Sequence, residues 1–423
     1  MNDLQTVIVV GAGVAGLVAA KDISAKGYRV IILEAGERVG GRIHTLTNDT
    51  FLYPVEAGAE FIHGNLPLTL SMMKEAGIAY HAIEGEMVRV SKGNWQPQHE
   101  MAVGWDRVIE CMESLHEDMT IAQFLEQYFS GDQNAGIRQS IQGFAQGFDL
   151  ADIHKASVFA LRKEWEHEEE QQYRPDDGYG KLVTWLLQQC VANNCALHTS
   201  CIVKKITWQK NNVQVTTANG KLFEGNKIII TVPLGVLQAG EDEVSHIRFE
   251  PAITSYIDAA RQMGYGAVVK ILLQFKEAFW QKKKKNIGFL ITDQNIPTWW
   301  TLCPRDYPLL TGWLGGGPID TWKETSDETI LANALQSLSV IFDMEVAQLE
   351  KILTASYVAN WRKEPFSLGA YSYNTLASAT AIKTVQTPVD DTLFFAGEAW
   401  YEGPYPGTVE AAIVTSSLLV QRL

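Results

Sequence analysis

The first apolar run of the chain opens a strand, helix, strand pattern. "TVIVV" at residues 6–10 is a β-branched run typical of a buried strand, and "RVIILE" at residues 29–34 is a second. Between them, glycines at positions 11, 13 and 16 precede a helix-like stretch. In such a unit the glycines permit a tight turn, the approach of a pyrophosphate to the backbone, and close packing of the helix on the strand. An acidic residue at the end of the second strand can accept hydrogen bonds from a ribose. The alternative is a glycine-rich turn without a ligand. The pattern predicts a dinucleotide site that contains Gly11, Ala12, Gly13, Ala15, Gly16 and Glu34.

Further along the chain the periodicity alternates between helical and strand-like. "TIAQFLEQYF" at residues 120–129 has helical character, whereas "VQVTTANGKLFEG" at 213–225 predicts a β-hairpin and "PTWWTLC" at 297–303 a strand. The apolar stretch "VEAAIVTSSLLVQRL" at 409–423 predicts a buried helix.

A lysine interrupts the strand-like run "GAVVKILLQF" at residues 266–275. With period two, Lys270 shares a face with Val268, Leu272 and Gln274. One interpretation is a lysine on the wet side of an antiparallel strand, with its stem along Leu272. The other is a partly buried ammonium directed at a functional group. The pattern alone leaves both open.

Composition narrows the class of protein. The 423 residues are 46% apolar and 20% charged, which is typical of a globular protein with room for two domains. A net charge of −14 argues against nucleic-acid and anionic-membrane partners. The 5 cysteines are widely spread without a C-x-x-C pair, which favours reduced thiols. With no signal-peptide pattern at its start, the chain is expected to be cytoplasmic.

Four motifs together resemble the flavin-containing amine oxidase family. They are "EAGERVGGRIHT" at residues 34–45, "TVPLGVL" at 231–237, "MGYGAVVKILLQF" at 263–275 and "FFAGEAWYEGPYPGTVEAA" at 394–412. The resemblance implies an α/β fold in which a discontinuous, Rossmann-like FAD-binding domain is joined to an α+β substrate-binding domain. We expect the FAD domain at residues 1–75, 190–262 and 376–423, and the substrate domain at 76–189 and 263–375.

The resemblance also implies further contacts to FAD. A helix N-terminus after the last motif would direct backbone N–H groups and a positive dipole end at the flavin. The implied FAD residues, in addition to the glycine turn, are Ala35, Gly41, Arg42, Gly58, Ala59, Val203, Gly397, Glu398, Thr408 and Val409. Monoamine oxidases carry a flavin-linked cysteine where this chain has Ala370, so we expect FAD to be bound without a covalent link.

In this family the strand lysine reaches the reactive flavin nitrogen through a water. Lys270 matches that residue, which makes it the candidate catalytic group. Trp361, Tyr371 and Tyr405 match the aromatic residues that flank the flavin and guide the amine. Core packing is the alternative for any one of these aromatic residues.

"VEAGAEFIHG" at residues 55–64 bears on the substrate. Amino-acid oxidases carry a carboxylate-binding arginine roughly where this chain has Phe61. The segment instead resembles that of animal polyamine and spermine oxidases, in which the histidine corresponding to His63 contacts the polyamine. We therefore expect His63 and Glu60 to contact the substrate, with a structural histidine as the alternative. The acidic stretch "EWEHEEEQQ" at 164–172 predicts a solvated helix face, or an acidic entrance for polyamines.

These features lead to an expected function. The chain would take hydride from a polyamine or monoamine onto FAD, leaving an imine that water hydrolyses, and oxygen would be reduced to hydrogen peroxide. An L-amino-acid oxidase or another flavin oxidoreductase of the same fold, and a non-catalytic flavin-binding protein, are the alternatives. The sequence predicts no metal site and does not indicate the oligomeric state.

Overall fold

The computed structural model describes residues 4–47, 49–98, 102–167, 171–316 and 321–423. The N-terminal elements are β1 (Thr6–Val10), α1 (Val14–Ala25), β2 (Arg29–Leu33), β3 (Thr45–Leu46), β4 (Val55–Glu56), β5 (Ile62–His63) and α2 (Pro67–Glu75). They are followed by β6 (Tyr80–Ala82), β7 (Glu86–Ser91), β8 (Asn94–Pro97), α3 (Trp105–Glu113), α4 (Ile121–Tyr128), α5 (Ala135–Gly147), α6 (Val158–Trp165), β9 (Gln172–Pro175) and α7 (Gly180–Ala192).

The middle of the chain contains β10 (Ala196–His198), β11 (Val203–Gln209), β12 (Asn212–Thr217), β13 (Leu222–Gly225), β14 (Lys227–Ile230), α8 (Leu234–Leu237), β15 (Arg248–Glu250), α9 (Thr254–Gln262) and β16 (Gly264–Tyr265). The remaining elements are β17 (Val268–Phe275), β18 (Ile287–Thr292), β19 (Thr298–Trp300), β20 (Leu309–Gly315), α10 (Asp327–Phe342), α11 (Val346–Ile352), β21 (Leu353–Asn360), β22 (Ser372–Tyr373), α12 (Ser378–Gln386), β23 (Leu393–Phe395) and α13 (Val409–Gln421).

A parallel sheet in the order β10-β2-β1-β14-β23 forms the first layer. Its strands come from the beginning, the middle and the end of the chain, and β1 is paired to β2 on one side and to β14 on the other. The β-branched runs are buried on both faces, as expected for a parallel sheet covered by helices. Helix α1 can pack tightly here because a Cβ at Gly16 would lie 2.0 Å from the carbonyl oxygen of Gly11.

A largely antiparallel sheet of seven strands, in the order β21-β17-β20-β19-β18-β7-β8, forms the second large layer. Strand β17 pairs with β20 and β21, and all eight of its residues are buried. The wet-side interpretation of Lys270 is therefore wrong, because this side chain is only 1% exposed. Period two predicted the strand, but both of its faces are covered.

The remaining predicted elements compare directly with the structure. The hairpin is β12 and β13, the terminal helix is α13, and the helix at 120–129 is α4, capped by the side chain of Thr120. Helix α7 packs against α1, so the predicted domain boundary between residues 189 and 190 falls inside a helix that belongs with the parallel sheet. The other predicted boundaries remain predictions.

The five cysteines are free thiols, as predicted. Across the described ranges, no single helix has the length and apolar character needed to cross a membrane, although the bent pair α10 and α11 meets both criteria together.

Candidate active site

One cavity of about 2360 Å³ connects the predicted dinucleotide site to the predicted substrate site. Its wall runs from Gly13 and Glu34, at the carboxyl ends of β1 and β2, to Lys270, Tyr371 and Tyr405. Small-molecule pockets usually enclose roughly 300–1,000 Å³, so this volume accommodates a large cofactor together with a substrate. The position agrees with the rule that ligands bind beyond the carboxyl ends of parallel strands.

Two glycines leave room for a ligand at the cavity wall. A Cβ built on Gly13 has no atom closer than 4.0 Å, and one built on Gly397 has none within 4 Å. Gly397 has φ of 141°, a conformation that other residues rarely adopt. A side chain at either position would project into open space, so the backbone is bare where a phosphate or a flavin ring could approach. The residues present therefore fit the dinucleotide part of FAD.

Glu34 connects the predicted phosphate-binding turn after β1 to the segment that follows β2. Its Oε2 accepts a hydrogen bond from the backbone N–H of Ala12 at 2.7 Å, and its Oε1 accepts one from Gly36 at 2.8 Å. Burial raises the pKa of the Glu34 carboxyl above its ordinary value, although these two hydrogen bonds oppose the rise. Since Glu34 lines the cavity, it is placed to meet a ribose.

Arg42 and Glu398 bring the second and the last flavin motifs into contact. Arg42 Nη1 donates to Glu398 Oε1 at 2.7 Å and to the carbonyl oxygen of Ala370 at 2.6 Å. The other carboxylate oxygen of Glu398 accepts from the hydroxyl of Ser372 at 2.7 Å. Glu398 is 4% exposed, so these donors take the place of solvent around its carboxylate.

Helix α13 begins at the cavity. Its N-cap is Thr408, whose side chain accepts a hydrogen bond from the backbone N–H of Ala411. Thr408 and Val409 both line the cavity. The N-terminal N–H groups and the positive dipole end of α13 therefore lie where negative charge on a bound ring would be stabilised.

Lys270 lies at the cavity wall within a buried cluster of charged side chains. Its Nζ donates to Glu60 Oε2 at 2.7 Å and to the carbonyl oxygen of Gly58 at 3.1 Å. Glu60 Oε1 in turn accepts from Arg174 Nε at 2.8 Å and from Trp300 Nε1 at 3.0 Å. Nζ of Lys270 also lies 5.4 Å from the centre of the Trp300 ring, within the range of a cation–π contact.

The charges in this cluster support one another. Burial disfavours the ionised form of Glu60, but Lys270 and Arg174 outweigh it and hold the pKa of the Glu60 carboxyl below its ordinary value. Nearby, burial raises the pKa of Glu56 to about 7, although the charge of Lys270 and hydrogen bonds from Tyr179 and Thr45 lower it. The carboxylate of Glu60, predicted to contact the substrate, is occupied by protein donors.

Two members of the cluster, Arg174 and Trp300, were missed in the sequence. Arg174 lies in β9, which pairs with β5 directly after the "GAE" segment. Trp300 lies in β19, which the sequence predicted as a strand without a role at the site. Neither carries a motif, and only the pairing of strands distant in sequence brings them to Glu60.

The predicted aromatic residues also line the cavity. Tyr371 donates its hydroxyl to the carbonyl oxygen of Phe148, and Trp361 Nε1 donates to the carbonyl oxygen of Ala57 at 3.0 Å. His63 lies at the wall with its ring 5.9 Å from the ring of Phe148, edge to face. Tyr405 lies just before the N-cap of α13. All four side chains line the same cavity as Lys270.

The structure brings nearly all of the predicted site residues to this one cavity. Ala12 and Gly16 are exceptions, because Ala12 acts through its N–H to Glu34 and Gly16 through helix packing. In the acidic stretch, Glu164 lines the cavity and Glu166 pairs with Arg162 at 3.3 Å, whereas residues 168–170 lie outside the described residues. Within the part of the chain that the structure describes, no group of histidine, cysteine and acidic side chains could hold a metal ion.

The chain belongs to the flavin-containing amine oxidoreductase family, whose sequence profile matches residues 14–88 and 106–422. The predicted resemblance is thus confirmed, and the protein is a flavin-dependent amine oxidoreductase. Polyamine oxidase 2 of Arabidopsis thaliana is 26% identical over 449 residues, which cover 98% of this chain and 87% of that protein. Lysine-specific histone demethylase 2 of Homo sapiens is also 26% identical, over 97% of this chain but only 52% of the demethylase.

Solved structures share the fold at lower sequence identity. Wild-type putrescine oxidase bound to putrescine superposes with a TM-score of 0.81 and 19% identity, over 99% of this chain and 98% of that one. Cyclohexylamine oxidase from Brevibacterium oxydans IH-35A gives a TM-score of 0.78 and 18% identity, over 99% of both chains. The predicted α/β amine oxidase fold is therefore confirmed.

Proposed function

We propose that this protein oxidises a small aliphatic amine, of the polyamine or diamine class, with non-covalently bound FAD and oxygen as the acceptor. The observation that carries the proposal is the single cavity in which bare glycine backbone, the α13 N-terminus, Lys270 and two tyrosines meet. Bound FAD would accept hydride from the carbon next to the nitrogen and pass electrons to oxygen, yielding hydrogen peroxide.

The residues of the chain supply position and electrostatics. Tyr371 and Tyr405 present aromatic faces that orient an amine and exclude water from it. The ammonium of Lys270 provides fixed positive charge where oxygen gains electrons, and the α13 N-terminus favours negative charge on the ring. Imine hydrolysis needs only water.

Two features favour an amine over an amino acid. Phe61 lines the cavity and, by the sequence resemblance, stands roughly where amino-acid oxidases carry a carboxylate-binding arginine, so a substrate carboxylate lacks that partner. The guanidinium of Arg174, which lies 4.9 Å from the centre of the Phe61 ring, pairs with Glu60 and is not part of the cavity wall. The relatives that match over nearly the whole of both chains include a polyamine oxidase, and a putrescine oxidase shares the fold.

Ala370 supports non-covalent binding. It stands immediately before Tyr371, is buried, and its carbonyl oxygen accepts from Arg42. An alanine side chain offers no nucleophile to a flavin. Acid precipitation of the purified protein should release all yellow colour into the supernatant, and colour that stays with the pellet would contradict this part of the proposal.

The substrate class is tested by anaerobic titration of the flavin absorbance with spermine, N-acetylspermine, putrescine, tyramine and L-amino acids. Bleaching by the aliphatic di- and polyamines at the lowest concentrations supports the proposal. Bleaching by L-amino acids alone would support an amino-acid oxidase, and bleaching by tyramine alone an aromatic amine oxidase.

A further inference from the structure

The carboxylate of Glu60 has the surroundings of a fixed ion and not of a ligand-binding group. It is 6% exposed, and three protein donors reach it: Lys270, Arg174 and Trp300, each within 3.0 Å. A carboxylate satisfied by three donors has little left to offer an incoming ammonium. Arg174 is itself anchored, because its Nη2 donates to the carbonyl oxygen of Thr301 at 3.0 Å.

The ammonium of Lys270 uses two of its N–H groups for acceptors of the protein. An ammonium has three N–H groups. Two of them are taken up by Glu60 Oε2 and the carbonyl oxygen of Gly58, both of which belong to the segment after β4. One N–H remains, and Lys270 borders the cavity. The two acceptors therefore determine where the third N–H can go.

We propose that Glu60 is a positioning residue, which holds the ammonium of Lys270 so that its remaining N–H serves a group in the cavity, while Arg174 holds Glu60. This inference rests on the proposed role of Lys270 in oxygen reduction. It moves Glu60, which itself lines the cavity, from the substrate-contacting set to the residues that support the lysine. Arg174, which lies in β9, in turn stabilises the carboxylate of Glu60.

The physical basis is the cost of an unbalanced buried charge. A hydrogen-bonded ion pair in a protein interior is hard to break on one side only, because the remaining charge has no solvent. Glu60→Gln removes the negative charge while it keeps the size of the side chain and an acceptor for Arg174. The lysine then loses its strongest partner and becomes free to reorient.

A double-mutant cycle between Glu60→Gln and Lys270→Met tests the coupling. The flavin is photoreduced without oxygen, with oxalate as the electron donor, and then mixed with oxygenated buffer, and the rate of reoxidation is followed by stopped flow. We expect Glu60→Gln to slow reoxidation by about tenfold in the wild-type background, the size expected for a lost charge-assisted hydrogen bond, and to have little further effect with Lys270→Met. Glu60→Asp, which keeps the charge at shorter reach, should recover part of the rate.

The second readout is the unfolding of the flavin-free protein in denaturant. The cycle should again be non-additive, with Glu60→Gln more destabilising when Lys270 is present than when it is Met. Lys227→Met is the matched control, because Lys227 is 7% exposed and its Nζ donates to Asp391 at 2.9 Å but it does not line the cavity. It should destabilise the protein without slowing reoxidation.

Unchanged reoxidation in Glu60→Gln, or an equal loss in both backgrounds, would overturn the proposal. A raised KM for the amine with reoxidation unchanged would return Glu60 to the substrate-contacting set. Because photoreduction requires no amine, these results are separate from the anaerobic titration. Failure of every amine to bleach the flavin would count against the proposed function and leave the cycle measurable.

Discussion

The guanidinium of Arg42 and the carboxylate of Glu398 are 2.7 Å apart, although the two residues are 356 positions apart in the chain. Arg42 follows the N-terminal βαβ unit, whereas Glu398 follows the last strand of the parallel sheet. The pair lies at the cavity wall, so it joins two flavin motifs into one surface.

Breaking this pair should weaken retention of FAD. In Glu398→Gln, an amide N–H₂ would face donors from either Arg42 or Ser372, and a buried donor would lack an acceptor. We expect about a tenfold rise in the Kd for FAD, measured by quenching of flavin fluorescence on titration of apoprotein. Glu402→Gln, at a nearby residue exposed to solvent, is the control and should leave the Kd unchanged.

Gly13→Ala should reduce the affinity for FAD and leave the fold intact. The added methyl group meets open cavity and no protein atom, so it occupies space that a phosphate needs. Gly240→Ala is matched to it, because Gly240 is an exposed glycine with equal room but away from the cavity. Equal FAD affinity in the two variants, measured by equilibrium dialysis, would contradict the cofactor position.

The sequence was most informative where function requires a local motif. The glycine turn and Glu34 were predicted from their spacing, since a helix N-terminus beside a phosphate leaves a recognisable pattern, whereas the Arg42 segment and the start of α13 were predicted from the family resemblance. The strand pattern drew attention to Lys270, but its candidate role came from the family resemblance. Arg174 and Trp300 could not be found, because their positions depend on which strands pair across more than a hundred residues. Burial of both faces of β17 likewise depends on partners that a period-two pattern does not identify.

Lys270→Met should slow flavin reoxidation by about a hundredfold, the scale observed when a preorganised electrostatic group is removed from an active site. Lys227→Met is a matched control. Lys227 is also a buried strand lysine, 7% exposed and 2.9 Å from Asp391, but it is not part of the cavity. Stopped-flow traces that are equally slow in both variants would show that general damage, and not the charge at the site, is responsible.

Glu56 should make the stability of the protein depend on pH. Burial raises its pKa from 4.5 to about 7 in the folded state, so the folded protein holds this proton more tightly than the unfolded chain. As the pH rises from about 4.5 to 7, ionisation of Glu56 therefore lowers the free energy of unfolding. The total decrease across this range is about 3 kcal/mol. Glu56→Gln cannot ionise, so the variant should not show this pH-dependent decrease in the free energy of unfolding.

The stability difference between Glu56→Gln and the unmodified protein should consequently increase from pH 5 to pH 8. Urea unfolding of the flavin-free protein at several pH values measures it. Glu75→Gln, at an exposed residue at the end of α2, should show no comparable trend. A difference that is constant with pH would mean that Glu56 is ionised throughout this range.

Tyr371 should affect amine binding through its ring more than through its hydroxyl. Tyr371→Phe keeps the aromatic face and loses the hydrogen bond to the Phe148 carbonyl, whereas Tyr371→Leu loses the face. We expect the KM for the amine to rise by about tenfold in the leucine variant and much less in the phenylalanine variant. If the two variants have equal KM values in steady-state assays, the ring of Tyr371 serves packing and not amine binding.

The strand order of the parallel sheet also bears on how the protein acquires its cofactor in the cell. Strand β14 lies between β1, near the start of the chain, and β23, close to α13. A nascent chain still being translated can form the first glycine turn, but it lacks Glu398 and the helix that begins after Thr408. Because these segments form part of the cavity wall, a nascent chain cannot enclose a flavin at this site until α13 has been synthesised.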